Sequence, residues 1–176
     1  MSLPNYQRIP GINDVSRFDT QIEFDAIGLP KDLSSKSVLD IGCNEGAFVI
    51  ECMKRGADFT LGVDVNPEWV ERAKVAITKA VADLPTKYNF NVLCEDAHDF
   101  MRGYGIPFNL ILCLSVTHLI ENPNELVRAC VDLLQPGGLL ILEINHRLEK
   151  EKVELPKGAK FIGKNKDDRS VYHITK

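Results

Sequence analysis

The chain lacks the features of several common protein classes. No apolar stretch approaches the roughly 20 residues needed to cross a bilayer, and residues 1–10 lack the basic-then-apolar layout of a secretory signal. The five cysteines are an odd number, and no two of them are spaced as C-x-x-C. We therefore expect neither a disulfide framework nor a zinc site. The expectation is a cytoplasmic protein that is not associated with a membrane.

A strong excess of positive charge is also absent. The net charge is −4, which argues against a protein that coats nucleic acid. Residues 147–169 differ from this average, with eight lysine or arginine residues against five acids. That stretch could guide an anionic substrate, or it could be an ordinary solvated surface of mixed charge. With 176 residues, of which 44% are hydrophobic, the chain has the size of one globular domain.

The most informative stretch, residues 38–46, reads VLDIGCNEG. It predicts a buried strand that breaks through glycine into a helix, the layout by which open α/β sheets receive nucleotide-like ligands. The two-glycine fingerprint of dinucleotide-binding proteins is missing, and Asp40 would repel a phosphate. A ligand with an adenosine half and a cationic half, such as S-adenosylmethionine, fits these residues better. A nicotinamide-linked dehydrogenase would also need a proton relay, such as a tyrosine–lysine pair, which is not apparent.

Apolar residues change repeatedly between strand and helix periodicity, which predicts a series of βα units. Helices are predicted from Gly46 to about Arg55, from Pro67 to about Leu84, from His98 to Arg102 and from Asn122 to about Leu134. Strands are predicted at Ser37–Ile41, Phe59–Val65, Phe90–Cys94, Phe108–Leu114, Leu139–Ile144, Ala159–Gly163 and Ser170–Thr175. Pro136, Gly137 and Gly138 are predicted to turn the chain into the fifth strand.

Five motifs in order resemble the class I, Rossmann-like S-adenosylmethionine-dependent methyltransferases. They are residues 40–46 (DIGCNEG), 61–66 (LGVDVN), 94–97 (CEDA), 109–115 (NLILCLS) and 134–143 (LQPGGLLILE). The resemblance implies an open, doubly wound α/β fold with a mostly parallel seven-stranded sheet, an antiparallel last strand and helices on both faces. It also divides the chain into an N-terminal extension, residues 1–36, and a methyltransferase domain, residues 37–176. The extension is expected to be helical from Ser16 to Ile27 and to form a lid or cover.

The same resemblance implies a site for S-adenosylmethionine at the carboxyl ends of the strands. Asp40 would hold the ammonium or a water bound to it, and the glycines and the helix N-terminus would receive the carboxylate. Asp64 would bind the ribose hydroxyls, Asp96 the adenine amino group and the Ala97 N–H a ring nitrogen. The complete cofactor set is Asp40, Gly42, Cys43, Asn44, Gly46, Asp64, Val65, Asp96, Ala97 and Leu114.

The acceptor must be held by loops near the strand ends. His118 and Thr117, after the fourth strand, are the candidate catalytic residues, because a histidine pKa of about 6.5 suits proton transfer. A hydrogen-bonded structural histidine is the alternative. Nothing large is inserted between strands, which favours a small-molecule acceptor. The oligomeric state is not predicted.

Two alternative functions stay open. Residues 112–117 (LCLSVT), followed by 139–143 (LLILE), are similar to the bicoid-interacting RNA methyltransferases, which implies RNA as an acceptor. The sequence departs from that group at residues 118–121, which read HLIE. A non-catalytic or partner-dependent S-adenosylmethionine-binding subunit is the other alternative, because a binding motif alone does not establish turnover.

Overall fold

A computed structural model describes residues 20–82 and 88–176 of the chain. The helices are α1 Thr20–Ala26, α2 Ala47–Lys54, α3 Pro67–Ala82, α4 Ala97–Gly103, α5 Pro123–Asp132 and a 3₁₀ turn at Thr117–Leu119. The strands are β1 Ser37–Ile41, β2 Phe59–Asp64, β3 Asn89–Cys94, β4 Phe108–Leu114, β5 Leu134–Ile144, β6 Lys160–Lys164 and β7 Ser170–Thr175. The predicted helical residues 16–19 and the predicted helix end at Leu84 lie outside the described residues.

The strands form one sheet of seven, in the order β3-β2-β1-β4-β5-β7-β6. The pairs from β3 to β5 are parallel, whereas β7 is antiparallel to both β5 and β6. The predicted seven-stranded, doubly wound fold is confirmed. The strand order reverses between β1 and β4, where an open α/β sheet forms its ligand crevice.

Side chains of the central strands alternate between two apolar layers, as the pleat requires. Leu39 and Ile111 pack on the side of α4 and α5. Val38 and Leu112 pack on the opposite side with α1 and α2. A third cluster joins α2 to α3 and to Val92 of β3. Because helices cover both faces, the central parallel strands β1 and β4 are largely apolar on both sides, which is why their sequences read as nearly continuous hydrophobic runs.

The predicted beginning of the fifth strand is wrong by several residues. The structure begins β5 at Leu134 rather than Leu139, and the pairing with β4 shifts between Phe108 and Leu110. The Gly137 N–H donates to the Lys176 carbonyl at 2.8 Å, and the Lys176 N–H donates to the Gly138 carbonyl at 3.1 Å. These bonds continue the ladder across the glycines, so the predicted turn is an irregularity within the strand.

The described part of the N-terminal extension packs onto the sheet. Phe24 of α1 meets Phe48 of α2 edge to face, with 4.9 Å between ring centroids. Ile27, Leu29 and Leu33 are buried in the same apolar layer. The extension therefore contributes core as well as surface, and residues 1–19 of the predicted lid lie outside the described part. No helix within the described ranges is long and apolar enough to span a membrane.

Candidate active site

A cavity of about 580 Å³ opens at the carboxyl ends of β1, β2, β4 and β5. Asp40 of β1, Asp64 of β2, Leu114 of β4 and Glu143 of β5 all contribute to its wall. Four strands therefore bring residues that are far apart in sequence to one place. The size lies within the range typical of small-molecule sites.

The loop after β1 approaches the cavity closely because residue 42 is glycine. Gly42 has φ +73°, and a Cβ built there would lie 2.6 Å from Cγ2 of Val116. The N–H groups of Gly42 and Cys43 both donate to the Val63 carbonyl, at 2.8 and 3.1 Å. The loop is thus tied to β2, and a side chain at position 42 would collide with the loop after β4.

Asp64 links the loop after β1 to the loop between β2 and α3. Its Oδ2 accepts a hydrogen bond from the Asn44 N–H at 2.9 Å, and its Oδ1 accepts one from the Asn66 N–H at 2.9 Å. Asn66 in turn caps α3, because its side-chain oxygen accepts from the Glu68 N–H at 2.9 Å. One carboxylate therefore holds the glycine loop and the start of α3 in register while it lines the cavity.

Asp40 is a buried carboxyl without full hydrogen bonding. It is 3% exposed, and its Oδ2 accepts no hydrogen bond from any residue in the described ranges. Burial, and next the charge of Asp64, raise the pKa of Asp40 to about 8. A buried acceptor of this kind is costly unless a ligand satisfies it. The ammonium of S-adenosylmethionine is a suitable donor, so the residues fit the cofactor that the motifs predict.

The raised pKa predicts a pH-dependent stability that Asp40→Asn should remove. Because the pKa is about 8 in the folded protein and ordinarily 3.8, the neutral carboxyl favours folding at low pH. That contribution is lost as the pH rises from about 4 to about 8. We expect the unfolding midpoint of the ligand-free wild type to fall relative to that of Asp40→Asn between about pH 5 and about pH 8. Thermal unfolding of both proteins measures this, and parallel curves would contradict it.

The side of the cavity next to α3 and α4 combines an acid with apolar surface. Asp96 caps α4, with Oδ1 accepting from the N–H groups of His98 and Asp99 at 2.8 and 3.3 Å. Val65, which is 68% exposed, and Trp69 also line this side. The Arg72 guanidinium lies 5.0 Å from the centroid of the Trp69 ring. A planar base can therefore find both a polar edge and an apolar face here.

The side of the cavity next to β5 contains a buried polar network. Glu143 is 4% exposed at the end of β5. Its Oε1 accepts hydrogen bonds from the Ser115 hydroxyl and, at 3.2 Å, from Nη1 of Arg169. Its Oε2 accepts from Nδ2 of Asn165 at 2.8 Å, and Arg169 also donates to the Ser115 hydroxyl. The hairpin of β6 and β7 is thereby joined to the loop after β4.

His118 lies in the 3₁₀ turn and lines the cavity. Burial lowers the pKa of its imidazole from the ordinary 6.5. Glu149 and Glu143 oppose that decrease, whereas Arg169 adds to it. The ring is accordingly neutral at physiological pH and able to accept a proton.

The cavity brings together most of the predicted site residues, but three of them lie elsewhere. Cys43 is 1% exposed and packs between α2 and α3. A Cβ at Gly46 would lie 3.2 Å from Ala73, so this glycine permits helix packing rather than access to the cavity. Thr117 is fully buried and donates from Oγ1 to Glu149 Oε1 at 2.6 Å. The predicted residues that line the cavity are Asp40, Gly42, Asn44, Asp64, Val65, Asp96, Ala97, Leu114 and His118.

Comparison with known proteins decides the family. A family model described as a methyltransferase domain matches residues 22–157. The chain belongs to this family. The predicted class I, S-adenosylmethionine-dependent identity is confirmed by the family match and by the sheet order. Within the residues that the structure describes, the methyltransferase domain has no group of three or more His, Cys, Asp or Glu side chains arranged to hold a metal ion.

Curated relatives of this chain include ubiquinone biosynthesis O-methyltransferases. The Neisseria meningitidis serogroup C protein is 27% identical over 142 residues, which cover 80% of this chain and 57% of that protein. The Shewanella halifaxensis protein is 30% identical over 129 residues, covering 72% of this chain and 51% of that protein. The chain spans little more than half the length of these relatives.

Solved structures share the fold. The bifunctional kinase-methyltransferase WbdD superimposes with a TM-score of 0.79 at 20% identity, covering 98% of this chain and 44% of that one. Magnesium protoporphyrin IX methyltransferase from Synechocystis PCC 6803 with bound SAM gives 0.65 at 16% identity, covering 89% of this chain and 78% of that one. At these identities the likeness concerns the fold of the methyltransferase domain.

Proposed function

We propose that this chain transfers a methyl group from S-adenosylmethionine to an oxygen atom of a small-molecule acceptor. The observation that carries the proposal is one cavity with two chemically different ends. Asp40, Asp64 and Asp96 line the cavity on the side of β1, β2 and β3, and His118 with Glu143 lines it on the side of β4 and β5. The two curated relatives described above are O-methyltransferases by name, which favours oxygen as the accepting atom.

The cofactor end supplies acceptors for the cationic and hydroxyl-rich parts of the ligand. We assign the ammonium to Asp40, the ribose hydroxyls to Asp64, and the adenine amino group to Oδ2 of Asp96, since Oδ1 is used to cap α4. Asn44 and Gly42 supply the loop backbone that faces the carboxylate, and the N–H of Ala97 is assigned to a ring nitrogen. When bound, S-adenosylmethionine supplies an activated methyl group on a sulfonium centre.

The remaining task of the protein is to align the acceptor and to remove its proton. A site of this kind gains rate mainly from orientation of the attacking atom. His118 is the assigned general base, because its lowered pKa leaves the imidazole neutral and ready to accept a proton. Leu119, which is 73% exposed beside the cavity, gives the acceptor an apolar surface next to that base.

The basic stretch of residues 147–169 gives RNA little support as an acceptor. Arg147 and Lys164 pair with Asp168, at 3.0 and 2.6 Å. Lys166 lies 3.5 Å from Glu23, and Arg169 pairs with Glu143. Four of the eight basic residues in this stretch are therefore paired with acids of the protein itself, which favours the interpretation of a mixed surface over that of an anion-binding patch.

Calorimetry followed by an acceptor screen tests the proposal. We expect the purified chain to bind S-adenosylmethionine and S-adenosylhomocysteine but not NAD, and then to methylate a member of a panel of small phenols, alcohols and carboxylic acids. Binding of NAD alone would overturn the proposal. Methylation of an RNA panel without any small-molecule product would identify RNA as the acceptor instead. Cofactor binding without product from either panel would favour a non-catalytic or partner-dependent subunit.

A further inference from the structure

Two buried polar atoms beside the 3₁₀ turn lack hydrogen bonds. They are Nδ1 of His118 and Oε2 of Glu149, and neither has a partner among the residues described. One belongs to the loop after β4 and the other to the segment after β5. Since buried polar atoms are almost always paired in native proteins, two such atoms in adjoining segments require a common explanation.

A direct hydrogen bond joins the two segments. The hydroxyl of Thr117, which immediately precedes His118, donates to Oε1 of Glu149 at 2.6 Å. The N–H groups of Leu148 and Glu149 donate to the Asn145 carbonyl at 2.9 and 3.2 Å, closing a turn just before the carboxylate. One oxygen of Glu149 is therefore held by the residue that precedes the histidine, and the second oxygen has no hydrogen-bond partner among the residues described.

Among the charged groups around His118, Glu149 has the largest influence on the imidazole. Burial has a larger effect still and lowers the pKa of the ring, whereas the carboxylate of Glu149 raises it. Arg169 acts in the opposite direction, and Glu143 adds a smaller increase. An Nδ1–H donor and a carboxylate oxygen are chemically complementary, so one hydrogen bond would satisfy both buried atoms.

We propose that Glu149 is the positioning residue for His118, that it accepts a hydrogen bond from Nδ1–H, and that Thr117 orients the carboxylate. The inference rests on the proposed function in one respect, namely that His118 is the general base. A carboxylate on Nδ1 fixes the tautomer with the proton there, which leaves the lone pair of Nε2 for the acceptor hydroxyl.

This arrangement accounts for each bond that forms or breaks and for the proton that is released. As the acceptor oxygen forms its bond to the methyl carbon, the carbon–sulfur bond breaks and its electron pair remains on sulfur. The acceptor O–H bond breaks as well, and the proton moves to Nε2 of His118. The imidazolium that results is stabilised by the charge of Glu149. Thr117 thus affects the reaction through Glu149 rather than by touching the acceptor.

Histidine side-chain NMR tests the proposal without any methyl transfer. In the wild type we expect His118, identified by the signal that His118→Gln removes, to be protonated at Nδ1 when neutral. Glu149→Gln is expected to lower the pKa of His118 and to reduce the share of the Nδ1–H tautomer. Thr117→Ser, which keeps the hydroxyl, should titrate as the wild type does. Glu151→Gln is the matched control, since Glu151 is exposed and accepts its hydrogen bond from Asn124, away from His118.

Two results would overturn the proposal. One is a neutral His118 in the wild type that carries its ring proton on Nε2. This result needs no variant. The other is a folded Glu149→Gln protein, with the signals of the other three histidines unchanged, in which the pKa and tautomer of His118 are those of the wild type. Failure of the proposed function is distinguishable, because a protein without methyltransferase activity can still show the titration expected here.

Discussion

Replacing Asp64 with alanine is expected to weaken binding of S-adenosylhomocysteine by about 100-fold or more. The substitution removes the acceptor assigned to the ribose hydroxyls, and hydrogen bonds to a charged group contribute about 1.5–3 kcal/mol each. It also removes the acceptor of the Asn44 and Asn66 N–H groups, which releases the glycine loop from the start of α3. Isothermal titration calorimetry of the two proteins measures the change.

Asp58→Ala is the matched control for this prediction. Asp58 precedes β2, whereas Asp64 ends it, so the two acids lie at opposite ends of one strand. The Asp58 carboxylate also accepts a backbone hydrogen bond, from the Ser35 N–H at 3.2 Å. We expect its removal to leave the affinity unchanged. Normal binding by a folded Asp64→Ala protein would mean that the role assigned to Asp64 is wrong.

His118→Ala is expected to lower kcat by roughly 10²- to 10⁴-fold, the usual contribution of a general base. Binding of S-adenosylhomocysteine should be preserved, because His118 is not among the residues assigned to the cofactor. Rates at saturating acceptor and calorimetry of the same sample separate the two effects. His146→Ala, which removes an exposed histidine, is the control.

The pH profile gives an independent check on His118. Its pKa is lowered, so the neutral form is present at physiological pH and is lost only in more acidic solution. We expect kcat of the wild type to fall on the acidic side and that of His118→Ala to lose this limb. A normal rate in His118→Ala would remove its catalytic assignment and leave the structural alternative.

Three of the strands could be predicted from sequence to the residue. Ser37–Ile41, Phe108–Leu114 and Ser170–Thr175 agree with the structure at both ends. β1 and β4 are short, mostly apolar runs, and β7 is rich in β-branched and aromatic residues, so local sequence carries the information. The start of β5 does not follow from local sequence. It depends on hydrogen bonds between the glycines and Lys176, which come from distant parts of the chain.

The site could be predicted in part, and for a comparable reason. The motif positions predict that Asp40, Asp64 and Asp96 lie at one site, because the carboxyl ends of parallel strands meet at one edge of the sheet. Glu143 was visible only as part of a strand, and Arg169 only as one of several basic residues. Their pairing arises from the antiparallel return of β7 beside β5, which no spacing in the sequence reveals.

Gly46 and Thr117 show a further limit of motif reasoning. Both follow strands whose ends form the site, yet Gly46 faces α3 and Thr117 faces Glu149. A motif identifies which loop approaches the ligand, but the direction of each side chain within it depends on the elements packed behind. The assignments of individual residues to the cofactor and the acceptor remain predictions for the experiments above.

Trp69, on the wall of the cavity beneath the Arg72 guanidinium, is the only tryptophan in the chain. Tryptophan fluorescence, excited selectively at the indole ring, therefore originates from one position, at the rim of the cofactor end. A ligand that enters there changes the polarity around this single ring, so a fluorimeter can follow occupancy in real time on the unlabelled protein. Stopped-flow mixing would then give the association and dissociation rates of each ligand before any acceptor is known.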